Sequence, residues 1–344
     1  MKILMASIKY GRYGISTVIR NLATQLIKSG NSVSIGAFSF SEKAPEGVQR
    51  EIFSFFTNWV PIIRKYDIVH SHTPATNFLA AFSSNRFIYE YYGSPYNFIN
   101  VNRMNLEISL GMMRVFNKKV LAISEVAADD LLRRYSGFDV GVVPLGVDTE
   151  RFTPECAGIY RKGAPQLLFT GRVHPHKRIN ELISAMRELV SMYPDAYLEI
   201  IGSGPELANL KDQVAKLGLF KHVGFSGWVA DDELPCHFSS CDVYVTASRW
   251  EMFGLPLLEA MACGKPVVAS CIPAHRELIQ KSNAGALYTL GNERDLVNKI
   301  CEIYGNRECY KRHALMFAKK NNWSVVADRV MKIYLQLLEE TNTA

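Results

Sequence analysis

"DVYVTASRWEMFGLPLLEAMACGKPVVAS", residues 242–270, holds a strand, a helix and a second strand in close succession. "DVYVTAS" is a short β-branched, apolar run of strand length. "LPLLEAMACG" carries Pro256 in a first helical turn and ends at Gly264, where a left-handed cap suits glycine. "KPVVAS" returns to strand composition. A strand–helix–strand unit this short predicts two parallel strands joined by a crossover helix.

The same rhythm spreads in both directions. Downstream of a polar stretch at 146–166, "QLLFTGRV" (166–173), "AYLEIIGSG" (196–204) and the strands above alternate with the helical patterns 178–193 and 205–218. Upstream, "KILMAS" (2–7) leads through a glycine-bearing loop into "TVIRNLATQLIKSG", whose apolar residues recur at helical spacing until Gly30. "NSVSIGAFSF", "YDIVHSH", "RFIYEYY", "KVLAIS" and "GVVPLG" continue as strands. The reading is α/β: two Rossmann-like, doubly wound domains at 1–150 and 151–324. A long amphipathic helix, 325–344, crosses back to the first. In such sheets ligands sit at the carboxyl ends of the strands, which is where the chemistry is expected.

Bulk composition agrees with a folded globular protein. The 344 residues are 48% hydrophobic and 21% charged, with a net charge of +6. That excess suits an anionic substrate or membrane surface and is too weak to indicate nucleic acid. Seven cysteines, an odd number with no C-x-x-C pair, predict free thiols, hence a cytoplasmic protein. "MKILMAS" is too short for a signal peptide, and no apolar run reaches membrane-spanning length.

Three loops carry candidate chemistry. In "FTGRVHPHKRINELI" a strand ends at Thr170, and Arg172 and Lys177 precede a helix start, where anions are favoured. In "IIGSGPE", Gly202 and Gly204 either admit a ligand to the backbone or serve a tight turn. In "EMFGLPLLEA", Glu251 and Glu259 bracket a helix N-terminus. The N–H groups of Phe253, Gly254 and Leu255 could hold a diphosphate there, and Glu259 could accept from ribose hydroxyls. The other reading is helix-dipole complementation by Glu251 with Glu259 on the surface.

Taken in order, "GR…K", "GSGPE", Gly227-Trp228 and "E-x-F-G-L-P-x-x-E-A-M-A-C-G-x-P-V-V-A" resemble the retaining family-four glycosyltransferases of the GT-B fold. The resemblance extends to "VPLGVDTERFTP" (144–154), "AIS" (122–124) and the glycine loop ending at Gly14, and so covers most of the chain. It implies two domains facing across a cleft and a UDP- or GDP-linked sugar donor. By this resemblance Arg172 and Lys177 neutralise the departing diphosphate, and Glu251 holds sugar and phosphate. Gly14, Gly202, Gly204, Trp228, Phe253, Gly254, Leu255 and Glu259 line the donor. It further implies a glycan or lipid-linked acceptor at the first domain and a place in polysaccharide or glycolipid synthesis. No D-x-D occurs, so no metal and no cofactor are expected. Protein cations must then do the work that an ion does elsewhere.

The first domain departs from the family at Tyr92-Gly93, where a histidine-glycine step beside the transferred sugar is usual. Tyrosine is a poor base near neutral pH. His70 and His72 share a strand face by their spacing; they suit a satisfied structural pair better than a metal-ligand pair, or they line the acceptor cleft, and His72 with Tyr92 is an acceptor-side candidate. "FSFFTNWVPIIRKY" and "INVNRMNLEISLGMMRVFNKK" mix aromatic, aliphatic and basic residues. They suit either peripheral contact with an anionic inner membrane face or a core-facing helix. Two other functions fit the same architecture: a nucleotide-sugar epimerase or phosphorylase, and a catalytically silent sugar-nucleotide binder.

Overall fold

The structure is a computed structural model that describes residues 1–11, 14–54, 58–81, 83–93, 103–116, 118–156 and 160–343. The chain divides into two compact units, Met1–Leu145 with Trp323–Ala344, and Gly146–Asn322. The boundary thus falls a few residues before the 150/151 division read from composition.

Unit 1 is built on seven strands: β1 (Lys2–Tyr10), β2 (Ser32–Phe40), β3 (Gln49–Ile52), β4 (Ile68–Ser71), β5 (Phe87–Tyr91), β6 (Lys119–Ala122) and β7 (Val140–Val142). They lie in the order β3-β2-β1-β4-β5-β6-β7, and every pair is parallel. β1 is central and covered on both faces, so its apolar run is continuous, and Ile3, Leu4 and Met5 are fully buried. β3, "QREI", is a polar edge strand, for which no hydrophobic signal exists. The connecting helices are α1 (Gly14–Lys28), α2 (Trp59–Ile63), α3 (Pro74–Ala81), α4 (Arg103–Val115) and α5 (Glu125–Arg134). α1 buries Val18, Ile19, Leu22 and Leu26 at helical spacing, as its sequence requires.

Unit 2 has six parallel strands: β8 (Gln166–Thr170), β9 (Tyr197–Ile201), β10 (Val223–Gly227), β11 (Val243–Thr246), β12 (Val267–Ser270) and β13 (Gly285–Tyr288). Their order is β10-β9-β8-β11-β12-β13. Helices α6 (Ile179–Met192), α7 (Leu207–Lys216), α8 (Leu234–Ser240), α9 (Leu255–Ala262), α10 (Pro273–Ser282), α11 (Glu293–Gly305) and α12 (Arg307–Lys320) complete it. Its core joins Phe169, Leu198 and Val245 of the sheet to Ile183, Met186 and Leu189 of α6 and Ile300 of α11.

The last helix, α13 (Trp323–Thr343), belongs to unit 1. Its Tyr334 hydroxyl lies 2.7 Å from His70 Nδ1, and Arg86 donates to Thr341 Oγ1 (3.1 Å) and Asn342 Oδ1 (2.6 Å). In unit 2 the polar stretch after Gly146 packs along α8. Ser239 Oγ donates to the Thr153 carbonyl (2.8 Å), and the Phe152 and Phe238 rings meet edge to face. Here the expectation of free thiols fails: Cys156 and Cys236 form a disulfide, with Cα atoms 5.2 Å apart. Eighty residues separate the two, so no local spacing announced the pair. The inference from free thiols to a cytoplasmic protein loses that support.

In each sheet the strand order reverses at one point, β1/β4 in unit 1 and β8/β11 in unit 2. Loops leaving the two strands diverge there and open a crevice at their carboxyl ends. Arg172 and Lys177 follow β8, Glu251 follows β11, and His70 and His72 lie at the end of β4.

Candidate active site

β8 gives way to Gly171, whose φ of 143° only glycine adopts readily, and a 3-10 turn, Pro175–Lys177, precedes α6. That turn aims Lys177 across the switch point at the loop after β11. Lys177 Nζ donates to Glu251 Oε1, and Ser248 Oγ donates to the same oxygen at 2.9 Å. Burial alone would push the Glu251 carboxyl up. The Lys177 charge foremost, then the nearby His275 ring and the bonds from Lys177 and Ser248, outweigh it and hold the group below its usual range. The anion is therefore built in.

The two loops are also joined behind this pair. Arg249 N–H donates to the His176 carbonyl (2.7 Å), and the His176 ring stacks on Trp250 with centroids 4.3 Å apart. His176 Nδ1 sits 2.8 Å from His174 Nδ1. Burial, with Lys177 beside it, pushes His176 down to about 4, so the ring is neutral at physiological pH. Arg172 is exposed and makes no ion pair among the described residues. A cavity of about 320 Å³ lies beside this loop, bordered by His174, Arg178 and Glu206.

Gly254 caps α9 with φ 99°, and Leu255 opens the helix, whose first N–H groups have no partner within it. Phe253 is buried. Behind the turn, His275 Nδ1–H donates to the Ser270 carbonyl (3.0 Å). Burial pushes its titration down, so Nε2 keeps a lone pair, and that buried atom has no hydrogen-bond partner among the described residues. A Cβ on Gly254 would stand 3.6 Å from the ring's Cδ2. Glu259 lies further along α9. Burial raises it to about 7, with Arg151 opposing and Asp231 reinforcing. Tyr244 of β11, which donates to the Thr170 carbonyl (3.2 Å), lies within electrostatic range of both glutamates.

Other expected donor residues are placed differently. A Cβ on Gly202 would meet Gly171 O at 1.9 Å, and one on Gly204 would meet Val173 O at 2.1 Å. The neighbouring loop after β8 therefore dictates both glycines. Trp228, after β10, is 61% exposed. Gly14 opens α1 with nothing near its Cβ position, and residues 12 and 13 of its loop lie outside the described residues.

In unit 1 both acceptor-side candidates turn inward. Tyr92 donates to Glu90 Oε2 at 2.8 Å and lies 2.9 Å from His72 Nδ1, and His72 Nδ1 is 2.8 Å from the same carboxylate oxygen. Burial and then Glu90 push the Tyr92 phenol well above its usual range, so it is no base. His70 is pushed down to about 3, chiefly by burial. Neither Ser248 nor His275 nor Glu90 was singled out from sequence. Glu90 meets His72 across neighbouring strands, Ser248 and His275 bond within their own loops, and none carries a local motif.

These units define a class: two parallel-sheet Rossmann-like halves with a basic loop and a carboxylate meeting at one switch point, the GT-B glycosyltransferase fold. Residues 159–321 match the family "Glycosyl transferases group 1", and residues 13–151 match "Glycosyltransferase Family 4". Phosphatidyl-myo-inositol mannosyltransferase of Mycobacterium leprae is 30% identical over 280 residues, covering 78% of this chain and 73% of that protein. Alpha-monoglucosyldiacylglycerol synthase of Streptococcus pneumoniae is 26% identical over 337 residues, covering 84% and 74%. The crystal structure of Anabaena HepE with UDP and glucose superposes with TM-score 0.80 at 20% identity, over 98% of this chain and 100% of that one. The chain belongs to the family-four, group 1 glycosyltransferases. It is an enzyme, a hexosyltransferase that draws on a nucleotide-diphosphosugar.

Proposed function

We propose that this enzyme moves a hexose from a UDP- or GDP-sugar to a hydroxyl of a lipid-linked or other glycan acceptor, with retention and without a metal at the donor. The observation that carries the reading is the Lys177–Glu251 pair at the β8/β11 switch point, with Arg172, which has no ion-pair partner among the described residues, on the same loop. In the step proposed, the bond from the anomeric carbon to the diphosphate breaks and the acceptor oxygen bonds on the same face. The acceptor's proton passes to the departing phosphate oxygen. Negative charge grows on the diphosphate, and Arg172, Lys177 and the N–H groups around Gly254 stabilise it. Glu251 holds Lys177 in place beforehand, and Glu259, once ionised, accepts from the ribose diol.

The lipid acceptor is supported by the acceptors named for the mycobacterial and streptococcal relatives. It is also supported by α4, where Ile108 and Val115 are 48% and 77% exposed around basic Arg114. A partly apolar, basic helix of this kind rests on anionic lipid. Residues 99–102 and 117 of that stretch lie outside the described residues. α2, in the other candidate stretch, buries Ile62 and Ile63 and faces the core. No helix among the described residues is long and apolar enough to cross a membrane. Contact would therefore be peripheral.

A thermal-shift screen against UDP-, GDP-, ADP- and CDP-sugars tests the donor, followed by transfer to vesicles of phosphatidylinositol or diacylglycerol with NMR of the product anomer. Stabilisation by a UDP- or GDP-sugar and an anomer matching the donor are expected. An inverted product, or no response to any nucleotide sugar, would defeat the reading.

A further inference from the structure

We infer that His70, His72 and Glu90 of unit 1 bind a single divalent transition-metal ion, with the Tyr92 hydroxyl closing the fourth side. The inference is independent of the sugar-transfer reading, and the ion takes no part in the donor chemistry proposed for unit 2.

The three side chains come from the ends of adjacent parallel strands, β4 and β5, and their ligand atoms all lie within 4.8 Å of one another. His72 Nδ1 is 2.8 Å and His70 Nε2 3.7 Å from Glu90 Oε2. The Tyr92 oxygen is 2.8 Å from that carboxylate atom and 2.9 Å from His72 Nδ1. A separation of 3.7 Å is too long for a hydrogen bond. It suits two ligands sharing one ion, since bonds of ~2.0–2.1 Å at roughly tetrahedral angles separate neighbouring ligand atoms by ~3.4 Å. Two imidazoles and a carboxylate are the donor set that zinc and its first-row neighbours accept.

Two further observations point the same way. His70 Nε2, the ring atom facing Glu90, is buried and has no hydrogen-bond partner among the described residues. Orphaned polar atoms of this kind are uncommon in folded proteins and call for a cause. Glu90 is 4% exposed, and no lysine or arginine pairs with it among the described residues. A buried carboxylate calls for a positive partner close by, and an ion among these ligand atoms would be one. An ion supplies the charge and gives the His70 lone pair a partner. The outer shell is also in place: Tyr334 of α13 presents its hydroxyl 2.7 Å from His70 Nδ1, where it would fix the ring with Nε2 turned toward Glu90. The site would thereby tie the C-terminal helix to the first sheet. His70 and His72 are 0% and 1% exposed, so the ion would load as unit 1 folds and stay closed off, as structural sites do.

The test uses the full chain without a histidine tag, produced once with added zinc and once with added cobalt. Metal is counted by mass spectrometry, and ligand-field bands are read in visible light. Expected are one ion per chain and a cobalt spectrum of low coordination number. Glu90→Gln should lose the ion while remaining folded by circular dichroism. Tyr334→Phe, which keeps the ring, should weaken retention against a competing chelator by ~10-fold or more. Metal-free wild type from both media would overturn the inference and leave a proton shared between His72 and Glu90 in the ion's place. Equal metal content in wild type and a folded Glu90→Gln would overturn it too.

Discussion

Lys177→Ala separates ground-state attraction from transition-state stabilisation. In the free enzyme Lys177 Nζ is already bonded to Glu251, and the two side chains are only 16% and 19% exposed. Donor binding exchanges one anionic partner of the lysine for another, so the net gain in affinity is modest. Bond cleavage then adds charge to the diphosphate that Glu251 cannot offset. A unit charge ~4 Å from an ammonium at an effective dielectric of ~20 is worth ~4 kcal/mol, and only part of that charge develops during the step. Removing a single oxyanion donor elsewhere costs ~2.7–4 kcal/mol. We expect kcat to fall ~100-fold or more while the calorimetric Kd for the nucleotide sugar rises less than ~10-fold. In the variant the Glu251 carboxyl should titrate higher by NMR, because its burial is then opposed only by His275 and Ser248. Equal losses in kcat and affinity, or a kcat within ~5-fold of wild type, would refute the transition-state role.

Glu259 titrates near 7 when folded against a usual 4.5, so the folded chain holds that proton more tightly than the unfolded chain. Its contribution to stability is therefore full below ~4.5 and is lost as pH rises through ~7. Denaturant titrations should show Glu259→Gln flattening this fall, and calorimetry should show donor affinity in wild type rising over the same window. Gly202→Ala should fail to give stable protein on a thermal melt, because its Cβ would sit 1.9 Å from the Gly171 carbonyl oxygen. Normal melting would mean that the loops after β8 and β9 do not touch. Thiol titration of the denatured chain should find five reactive cysteines before reduction and seven after, and seven throughout would remove the Cys156–Cys236 bond.

Much of this was legible in the sequence, because parallel strands covered on both faces must be apolar runs. β1, β4, β8, β11 and β12 announce themselves that way. β3 does not, being a polar edge, and α3, "PATNFLAA", has too weak a periodicity to separate from the loop before it. Arg172, Lys177 and Glu251 could be read because each follows a strand and precedes a helix, where anion sites form. Ser248 could not, since a serine three residues before a glutamate carries no motif, and His275 could not, since its place beside Gly254 exists only once β11 and β12 pair. The two-residue spacing of His70 and His72 revealed a shared face, which the 4.4 Å ring separation reflects. Their partners come from β5 and from a helix 264 residues away in sequence, beyond the reach of local pattern.

A crystal structure with an intact or product nucleoside diphosphate bears most directly on how departing charge is held. Diphosphate oxygens within ~3 Å of Lys177 Nζ and the Arg172 guanidinium, with N–H groups of 253–255 closing the other side, are expected. A diphosphate bound away from the β8/β11 switch point, or bridged to the protein through an ion, would contradict a cradle made of protein cations and amides.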